Sequence, residues 1–180
     1  MSVFDVSSNS NASHLTVDLT FVAPFAIFSN PLYVERPSAR LTDFDVILAK
    51  ILEQDPESHI VFIGGENKHR FWTESLKKRW SKNFSVLNER VLFLERLSLL
   101  EFLSLCNCVD VLLDPLHFGG GYSFLLTTMV GTPSITMPGS HLRNNMTAGA
   151  YKQMKISTPP IVKSSEEYVQ LAIKLAYDSE

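Results

Sequence analysis

Continuous apolar runs alternate along the chain with segments in which apolar residues recur every three or four positions. Such runs are typical of strands buried on both faces, and the spaced segments match one face of an amphipathic helix. The clearest helical stripe is Leu41, Phe44, Ile47, Leu48, Ile51 and Leu52. The pattern predicts strands over 21–28, 59–63, 90–94, 109–113 and 133–137, and helices over 38–54, 71–83, 98–108, 122–130, 140–154 and 164–177.

This alternation predicts an α/β fold in which a parallel sheet is covered by helices on both faces. Residues 1–14 are polar and rich in Ser and Asn, so we expect a leader there and one domain over 15–180. In the helix over 98–108 we expect the apolar side chains to point mostly inward, including Leu99, Leu100, Phe102, Leu103 and Leu105. The sequence Ser164-Ser-Glu-Glu predicts a capping box at the last helix.

Composition agrees with one globular domain, since 45% of the 180 residues are hydrophobic and 19% are charged. The net charge of −3 gives no electrostatic case for nucleic acid. The apolar run from Leu15 to Phe28 contains Asp18 and Pro24, which argues against a signal peptide and a spanning helix. Cys106 and Cys108 lie too close together for an unstrained disulfide and lack partner ligands. We therefore expect buried thiols, a cytoplasmic protein, no metal and no cofactor.

A glycine-rich loop follows the fourth predicted strand. Asp114-Pro115 ends the strand, and Gly119, Gly120 and Gly121 lead to Ser123, which we expect to be the N-cap of the next helix. Amides at such a helix start can bind an anion. The loop lacks both the Gly-Lys-Ser/Thr of P-loops and the Gly-x-Gly-x-x-Gly spacing. A phosphate site and a plain strand-to-helix turn are about equally consistent with these residues, and the three consecutive glycines favour a ligand modestly.

Several short motifs, taken together and in this order, resemble one family. Asp114-Pro-Leu-His-Phe-Gly-Gly-Gly121, Gly131-Thr-Pro133, Met137-Pro-Gly139 and Tyr151-Lys-Gln-Met154 are similar to the carboxyl-terminal half of the O-linked N-acetylglucosamine transferases. These are glycosyltransferases of the GT-B type, with two facing Rossmann-like domains. The likeness covers most of the chain, from about Phe21 onward. It implies a domain that binds a nucleotide sugar, usually with UDP.

The resemblance also implies roles for individual residues. The loop and helix start would hold the pyrophosphate, the side chain of Phe102 would stack on the uracil, and the backbone of Leu97 would contact the base. His117 would donate a hydrogen bond to a phosphate or sugar oxygen, although a turn histidine bonded to the backbone is nearly as well supported by the sequence itself. The implied nucleotide-sugar site consists of Leu97, Phe102, His117, Gly119, Gly120, Gly121, Tyr122, Ser123 and Arg143.

The chain departs from the family at four positions. Leu126 stands where the family has an acidic residue for the ribose, and Tyr122 replaces a polar residue after the glycines. Val34 stands in place of a lysine, and of two arginines in the last loop only Arg143 is present, Asn145 taking the second place. Loss of a carboxylate–ribose hydrogen bond would cost about 1.5–3 kcal/mol.

We therefore expect a domain that binds a UDP-sugar and supports transfer of a hexosyl or N-acetylhexosaminyl group to a protein or small acceptor. No catalytic base can be named, and an amino-terminal half or a partner chain is expected to supply the second wall of the cleft. One alternative is a degenerate, non-catalytic binding or scaffold domain of the same fold. Another is a two-domain sugar-nucleotide epimerase.

Overall fold

The computed structural model describes residues 20–23, 42–63 and 70–177, and a five-stranded parallel sheet lies at the centre of the described chain. The strand order is β3-β2-β1-β4-β5, which is the order of a Rossmann-like sheet. The fold class predicted from the sequence is confirmed. The strands are β1 (Thr20–Ala23), β2 (His59–Ile63), β3 (Val91–Leu94), β4 (Val111–Leu113) and β5 (Ser134–Ile135).

Helices cover both faces of the sheet. One face bears α1 (Thr42–Gln54), α2 (Arg70–Asn83), α3 (Ser85–Arg90) and α7 (Ser165–Tyr177). The other bears α4 (Leu99–Cys108) and α5 (Gly121–Val130), and α6 (Met146–Gln153) packs against α5. This is the three-layer arrangement that the alternating pattern predicts.

The side chains of β2 show how the sheet divides the core. Ile60 and Phe62 pack with α1 and α7 on one face, and Val61 and Ile63 lie in the clusters on the opposite face. Successive residues of a strand point to opposite faces, so a continuous apolar run is required when both faces are covered. The run His59–Ile63 meets that requirement, and its predicted bounds are confirmed.

Helix α3 was not predicted. The sequence pattern predicts no element over 84–89 and a strand from Arg90, whereas Ser85–Arg90 is helical and β3 begins at Val91. The guanidinium of Arg90 donates hydrogen bonds to the carbonyls of Leu52 (2.5 Å), Asp55 (2.6 Å) and Ser58. Arg90 therefore satisfies carbonyls at the end of α1, a long-range role that no local pattern contains.

The segment after β5 also differs from the prediction. The predicted strand over 133–137 is two residues long, with Thr136 forming an isolated bridge to Ile161. The predicted helix over 140–154 is divided into a 3-10 turn (Leu142–Asn144) and α6. Asn145 separates the two, because its side chain donates to the carbonyls of Gly139 (2.6 Å) and His141 (2.7 Å) instead of facing outward from a helix.

Two predictions of burial are wrong. Leu99 and Leu100 are exposed, Leu100 at 76%, and they begin α4, in which Phe102 and Cys106 are the buried residues. Cys108 is exposed as well, whereas Cys106 is buried as predicted, and burial raises the pKa of its thiol to about 12. Both thiols are free.

The capping box of the last helix is confirmed in part. The hydroxyl of Ser164 accepts from the Glu167 amide (3.1 Å), but the Glu167 carboxylate accepts from the backbone amide of Lys163 (2.7 Å) instead of that of Ser164. The leader at 1–14, residues 24–28 of the first predicted strand, residues 38–41 of the first predicted helix and Val34 lie outside the described residues.

Candidate functional site

The glycine loop is closed by a buried carboxyl group at its first residue. Asp114 follows β4 directly and is 2% exposed, and its Oδ1 accepts from the Gly120 amide at 2.5 Å. Burial raises the pKa of Asp114, against the opposing effect of the neighbouring Thr136 and Thr147 hydroxyls and of the hydrogen bond from the Gly120 amide. The sequence predicts Asp114 only as the end of a strand, but in the structure its side chain anchors the loop.

Gly119 and Gly120 are both buried against the protein. The amide of Gly119 donates to the carbonyl of Arg143 at 2.8 Å. A Cβ at Gly119 would lie 3.3 Å from that carbonyl oxygen, and one at Gly120 would lie 3.3 Å from the side-chain oxygens of Asp114 and Ser123. Packing within the domain therefore explains both glycines without a ligand, and their amides are already bonded to protein acceptors.

Helix α5 begins two residues earlier than its predicted cap. Gly120 is the N-cap, and Gly121 begins the helix with a φ of +47°, a left-handed conformation that glycine adopts without strain. The buried hydroxyl of Ser123 donates to the Gly120 carbonyl at 2.5 Å. The prediction that Ser123 is the N-cap is wrong, because this hydroxyl faces back into the loop.

Three of the predicted site residues come together around the loop. His117 is half-buried within it, and Tyr122 lies 61% exposed in the first turn of α5. Arg143 is exposed in the 3-10 turn, which the hydrogen bond from Gly119 to the Arg143 carbonyl holds against the loop. A cationic side chain, an imidazole and the amino-terminal end of a helix thus lie at the carboxyl edge of the sheet, where parallel α/β folds bind ligands.

The side chains predicted to face the nucleoside lie in a closed apolar cluster, which we call the α4–α5 cluster. It consists of Ile63, Phe102, Cys106 and Leu126, with Leu97 among the partly buried side chains around it. Phe102 is 2% exposed and Leu126 is 6% exposed. The stacking role of Phe102 stays a prediction, and it would require the cluster to separate.

Two buried tyrosines, neither of them among the predicted site residues, hold the strand ends beneath the loop. The hydroxyl of Tyr168 donates to the carbonyls of Asp114 (3.0 Å) and Ile135 (3.1 Å). The hydroxyl of Tyr151 accepts from the Ser134 amide and donates to the Ser134 carbonyl. Burial raises the pKa of both phenols, and the charge of Asp114 raises them further. The helical spacing of Tyr168 with Ala172 and Ala176 was the available signal that Tyr168 is a core residue.

The described residues contain no group of three or more potential metal-ligating side chains placed to hold an ion. None of the helices in the described part of the chain combines the length and apolar composition needed to cross a bilayer.

No family model and no curated protein matches the sequence, but solved structures share the fold. An O-GlcNAc transferase mutant of Thermobaculum terrenum is 21% identical with a TM-score of 0.68, over 90% of this chain and 29% of that one. Anabaena HepE in complex with UDP and glucose is 12% identical with a TM-score of 0.59, over 92% and 41%. A candidate UDP-N-acetylglucosamine 2-epimerase of Listeria monocytogenes is 11% identical with a TM-score of 0.57, over 94% and 40%.

The chain thus spans between 29% and 41% of the length of these structures. Identities of 11–21% establish a shared fold and leave the reaction open. The parallel sheet, its strand order and the loop at its carboxyl edge agree with that fold. The described chain therefore has the Rossmann-like fold of the carboxyl-terminal half of a GT-B glycosyltransferase.

Proposed function

We propose that this domain binds a UDP-sugar through its diphosphate, as the donor-binding half of a glycosyltransferase. The observation that supports this most is the anchored loop. The Asp114 carboxyl group accepts from the Gly120 amide, and the Arg143 carbonyl accepts from the Gly119 amide. The first amides of a helix have no hydrogen-bond acceptor within the helix. In α5 the amides of Ser123 and Phe124 donate to the Gly120 carbonyl. The amides of Gly121 and Tyr122 are therefore the candidates for contact with a phosphate.

The two side chains beside the loop suit a departing diphosphate. An imidazole at His117 would donate a hydrogen bond, and the guanidinium of Arg143 would place positive charge where negative charge develops during transfer. UDP is the nucleotide in the Anabaena HepE complex. We extend it to this chain as a proposal, together with hexosyl or N-acetylhexosaminyl transfer to a protein or small acceptor and a cytoplasmic location.

The exposed position of Tyr122 allows a test that leaves the core untouched. Tyr122→Glu adds a carboxylate at the start of α5. There its charge interacts favourably with the helix dipole but repels a bound diphosphate. We expect it to weaken UDP binding by about tenfold or more in calorimetry, a loss of about 1.4 kcal/mol. Tyr122→Gln should bind nearly as well as the wild type.

Met129→Glu is the matched control, since it adds the same charge to the exposed, opposite end of the same helix. If Met129→Glu and Tyr122→Glu weaken UDP binding equally, the effect is one of net charge and the proposed site is wrong. Titrating UDP-GlcNAc and UDP-Glc in parallel would identify the preferred sugar.

A second candidate is a non-catalytic binding or scaffold domain that has kept the fold. The closed α4–α5 cluster and the internally bonded amides of Gly119 and Gly120 favour it. Absence of binding by UDP and by both UDP-sugars would select this candidate.

The third candidate, a sugar-nucleotide epimerase, shares the fold. It would convert UDP-GlcNAc without any acceptor, and NMR of the incubated sugar nucleotide would detect the epimer.

A further inference from the structure

A carboxyl group is buried next to the amides of the proposed diphosphate site. The side chain of Asp114 is buried, and its Oδ1 lies 2.5 Å from the amide nitrogen of Gly120. The amides proposed to contact a phosphate, those of Gly121 and Tyr122, belong to the next two residues of the chain. Given the short reach of two residues and of a hydrogen bond, a phosphate bound there would lie within about 10 Å of the carboxyl group.

The surroundings of Asp114 suit a neutral carboxyl group as well as a charged one. The hydroxyls of Thr136, which follows β5, and of Thr147 in α6 lie beside it. The Oγ1 of Thr147 is buried and has no hydrogen-bond partner among the described residues. A hydroxyl oxygen accepts as well as donates, so these threonines can accept the proton of a neutral Asp114.

Four further titratable or charged side chains of the described chain lie near this carboxyl group or its loop. The phenols of Tyr151 in α6 and Tyr168 in α7 stay protonated at neutral pH, because burial raises the pKa of both. His117 lies within the loop, and the exposed Arg143 lies against it. Histidine is the side-chain type whose charge changes between about pH 5 and 8, so the imidazole has to be separated from Asp114 by experiment.

A bound diphosphate and an ionised Asp114 would repel each other through the protein, where charges are screened less than in water. Protonation of the carboxyl group removes this repulsion and keeps an oxygen that accepts from the Gly120 amide. We therefore propose that the domain takes up a proton at Asp114 when it binds the diphosphate of its donor, so that its affinity for the donor falls as pH rises. This inference rests on the proposed diphosphate site and adds control by pH to it.

The direction of the pH dependence follows from linkage between the proton and the ligand. A bound anion raises the pKa of Asp114 further above its ordinary value of 3.8 than burial alone does. Below the free-state pKa the carboxyl group is neutral with and without ligand, and the affinity is highest. Between the free-state and bound-state pKa values the affinity falls, and above the bound-state pKa it levels off. The total fall is about tenfold or more for charges at this distance.

UDP-GlcNAc is the ligand for the test, because both of its phosphates are esterified and neither takes up a proton near neutral pH. Calorimetric titrations from about pH 4.5 to 8 measure its Kd, and buffers of different ionisation enthalpy reveal how many protons are taken up. Asp114→Asn keeps the acceptor and cannot ionise. We expect this variant to match the wild type at the lowest pH, to bind about tenfold tighter at the highest, and to take up fewer protons.

Two further variants serve as controls. Asp110→Asn removes a carboxylate at the opposite end of β4, immediately before Val111, and should leave the Kd of UDP-GlcNAc unchanged within about threefold. His117→Gln removes the imidazole, and proton uptake on binding should persist in it. Thermal unfolding of each variant checks that it is folded.

The outcomes separate a proton-coupled carboxyl group from a purely structural one. Tighter binding by Asp114→Asn at high pH, with proton uptake that persists in His117→Gln, supports the inference. Weaker binding by Asp114→Asn at every pH, or an equal gain in Asp110→Asn, overturns it and leaves the diphosphate site standing. Loss of proton uptake in His117→Gln does the same, since the proton would then reside on the imidazole. Absence of UDP-GlcNAc binding by the wild type at every pH overturns both proposals.

Discussion

A buried carboxyl group behind the glycine loop makes the stability of the domain depend on pH. Burial raises the folded-state pKa of Asp114 above its ordinary value of 3.8, so ionisation costs more in the folded protein than in the unfolded chain. The favourable contribution of the protonated carboxyl is complete below the unfolded-state pKa. It is lost as pH rises through the folded-state pKa.

Asp114→Asn removes this titration and keeps an oxygen that can accept from the Gly120 amide. We expect the variant to gain in unfolding free energy relative to the wild type as pH rises from about 4, and the gain to level off above the folded-state pKa. Each unit by which the pKa is raised contributes about 1.4 kcal/mol. Urea denaturation of both proteins at several pH values measures the difference, and a pH-independent difference would show that the Asp114 pKa is the same in both states.

Gly120 is a second residue at which the structure changes an expectation. If Gly120 bordered only a bound phosphate, Gly120→Val would block the phosphate and spare the fold. Its Cβ would instead lie 3.3 Å from oxygens of Asp114 and Ser123, so the branched side chain must displace the loop anchor. We expect a loss of about 1–3 kcal/mol in unfolding free energy.

Gly149→Val is the control for Gly120→Val, because a Cβ at this exposed position in α6 meets nothing within 4 Å. Valine has a higher helix propensity than glycine, so this variant should be neutral or slightly stabilised. Equal losses for the two variants would mean that the contacts of Gly120 are unimportant.

At the scale of the helices and strands, the sequence pattern correctly predicted the elements whose bounds are set by neighbouring residues in the chain. The strand His59–Ile63 and the helix end before Asp55-Pro56 follow from apolar continuity and a proline stop. The Ser98 capping box, with Glu101 Oε2 accepting from the Ser98 amide at 2.7 Å, accounts for the correct start of α4. Helix α3 and the break at Asn145 were missed, because the first depends on packing against α1 and the second on side-chain bonds to loop carbonyls.

The junction of α4 and α5 carries the next prediction. From the resemblance, a carboxylate at position 126 is expected to face the ribose and to tighten UDP binding. In the structure Leu126→Glu places that carboxylate in the α4–α5 cluster, where the weakly donating Cys106 thiol is the one cluster side chain able to donate a hydrogen bond. We expect a destabilisation above about 3 kcal/mol, measured by denaturant unfolding, and no tighter binding of UDP.

Leu125→Glu is the matched control for Leu126→Glu, since Leu125 is the adjacent residue of the same helix and is 50% exposed. It should change the unfolding free energy by less than about 0.5 kcal/mol. Tighter UDP binding by a stable Leu126→Glu variant would show that the cluster opens toward the ribose.

For the whole molecule, the sequence indicated the layers but could not determine the strand order. The order places β4 beside β1, with Val111 paired to Phe21 across 90 residues. Apolar runs contain no information on which neighbour each strand selects. The site shows the same limit, since Gly119 and Arg143 meet only through a tertiary contact. The position of the glycine loop at the sheet edge was correctly inferred from the strand-loop-helix pattern.

The last prediction concerns the reaction of the chain as a whole. The described elements form one three-layer domain, and the matched structures are more than twice as long as the part that this chain covers. In a GT-B enzyme the acceptor is positioned by the facing domain, and positioning of two reactants can contribute about 7–11 kcal/mol to lowering a barrier. We therefore expect this chain to transfer no measurable sugar, even where it binds the donor.

Incubation with labelled UDP-GlcNAc and UDP-Glc and a lysate of acceptor proteins measures this directly, with an active glycosyltransferase as the positive control for the assay. Label incorporated by the wild type and lost in Tyr122→Glu would overturn the prediction, because it would place a complete reaction centre on this single domain. Label that persists undiminished in Tyr122→Glu, at a donor concentration below the wild-type Kd, would point to a contaminating enzyme, since that variant is expected to weaken donor binding by about tenfold. Binding without incorporation is the expected result, because an oriented donor without an oriented acceptor leaves the entropic part of the barrier in place.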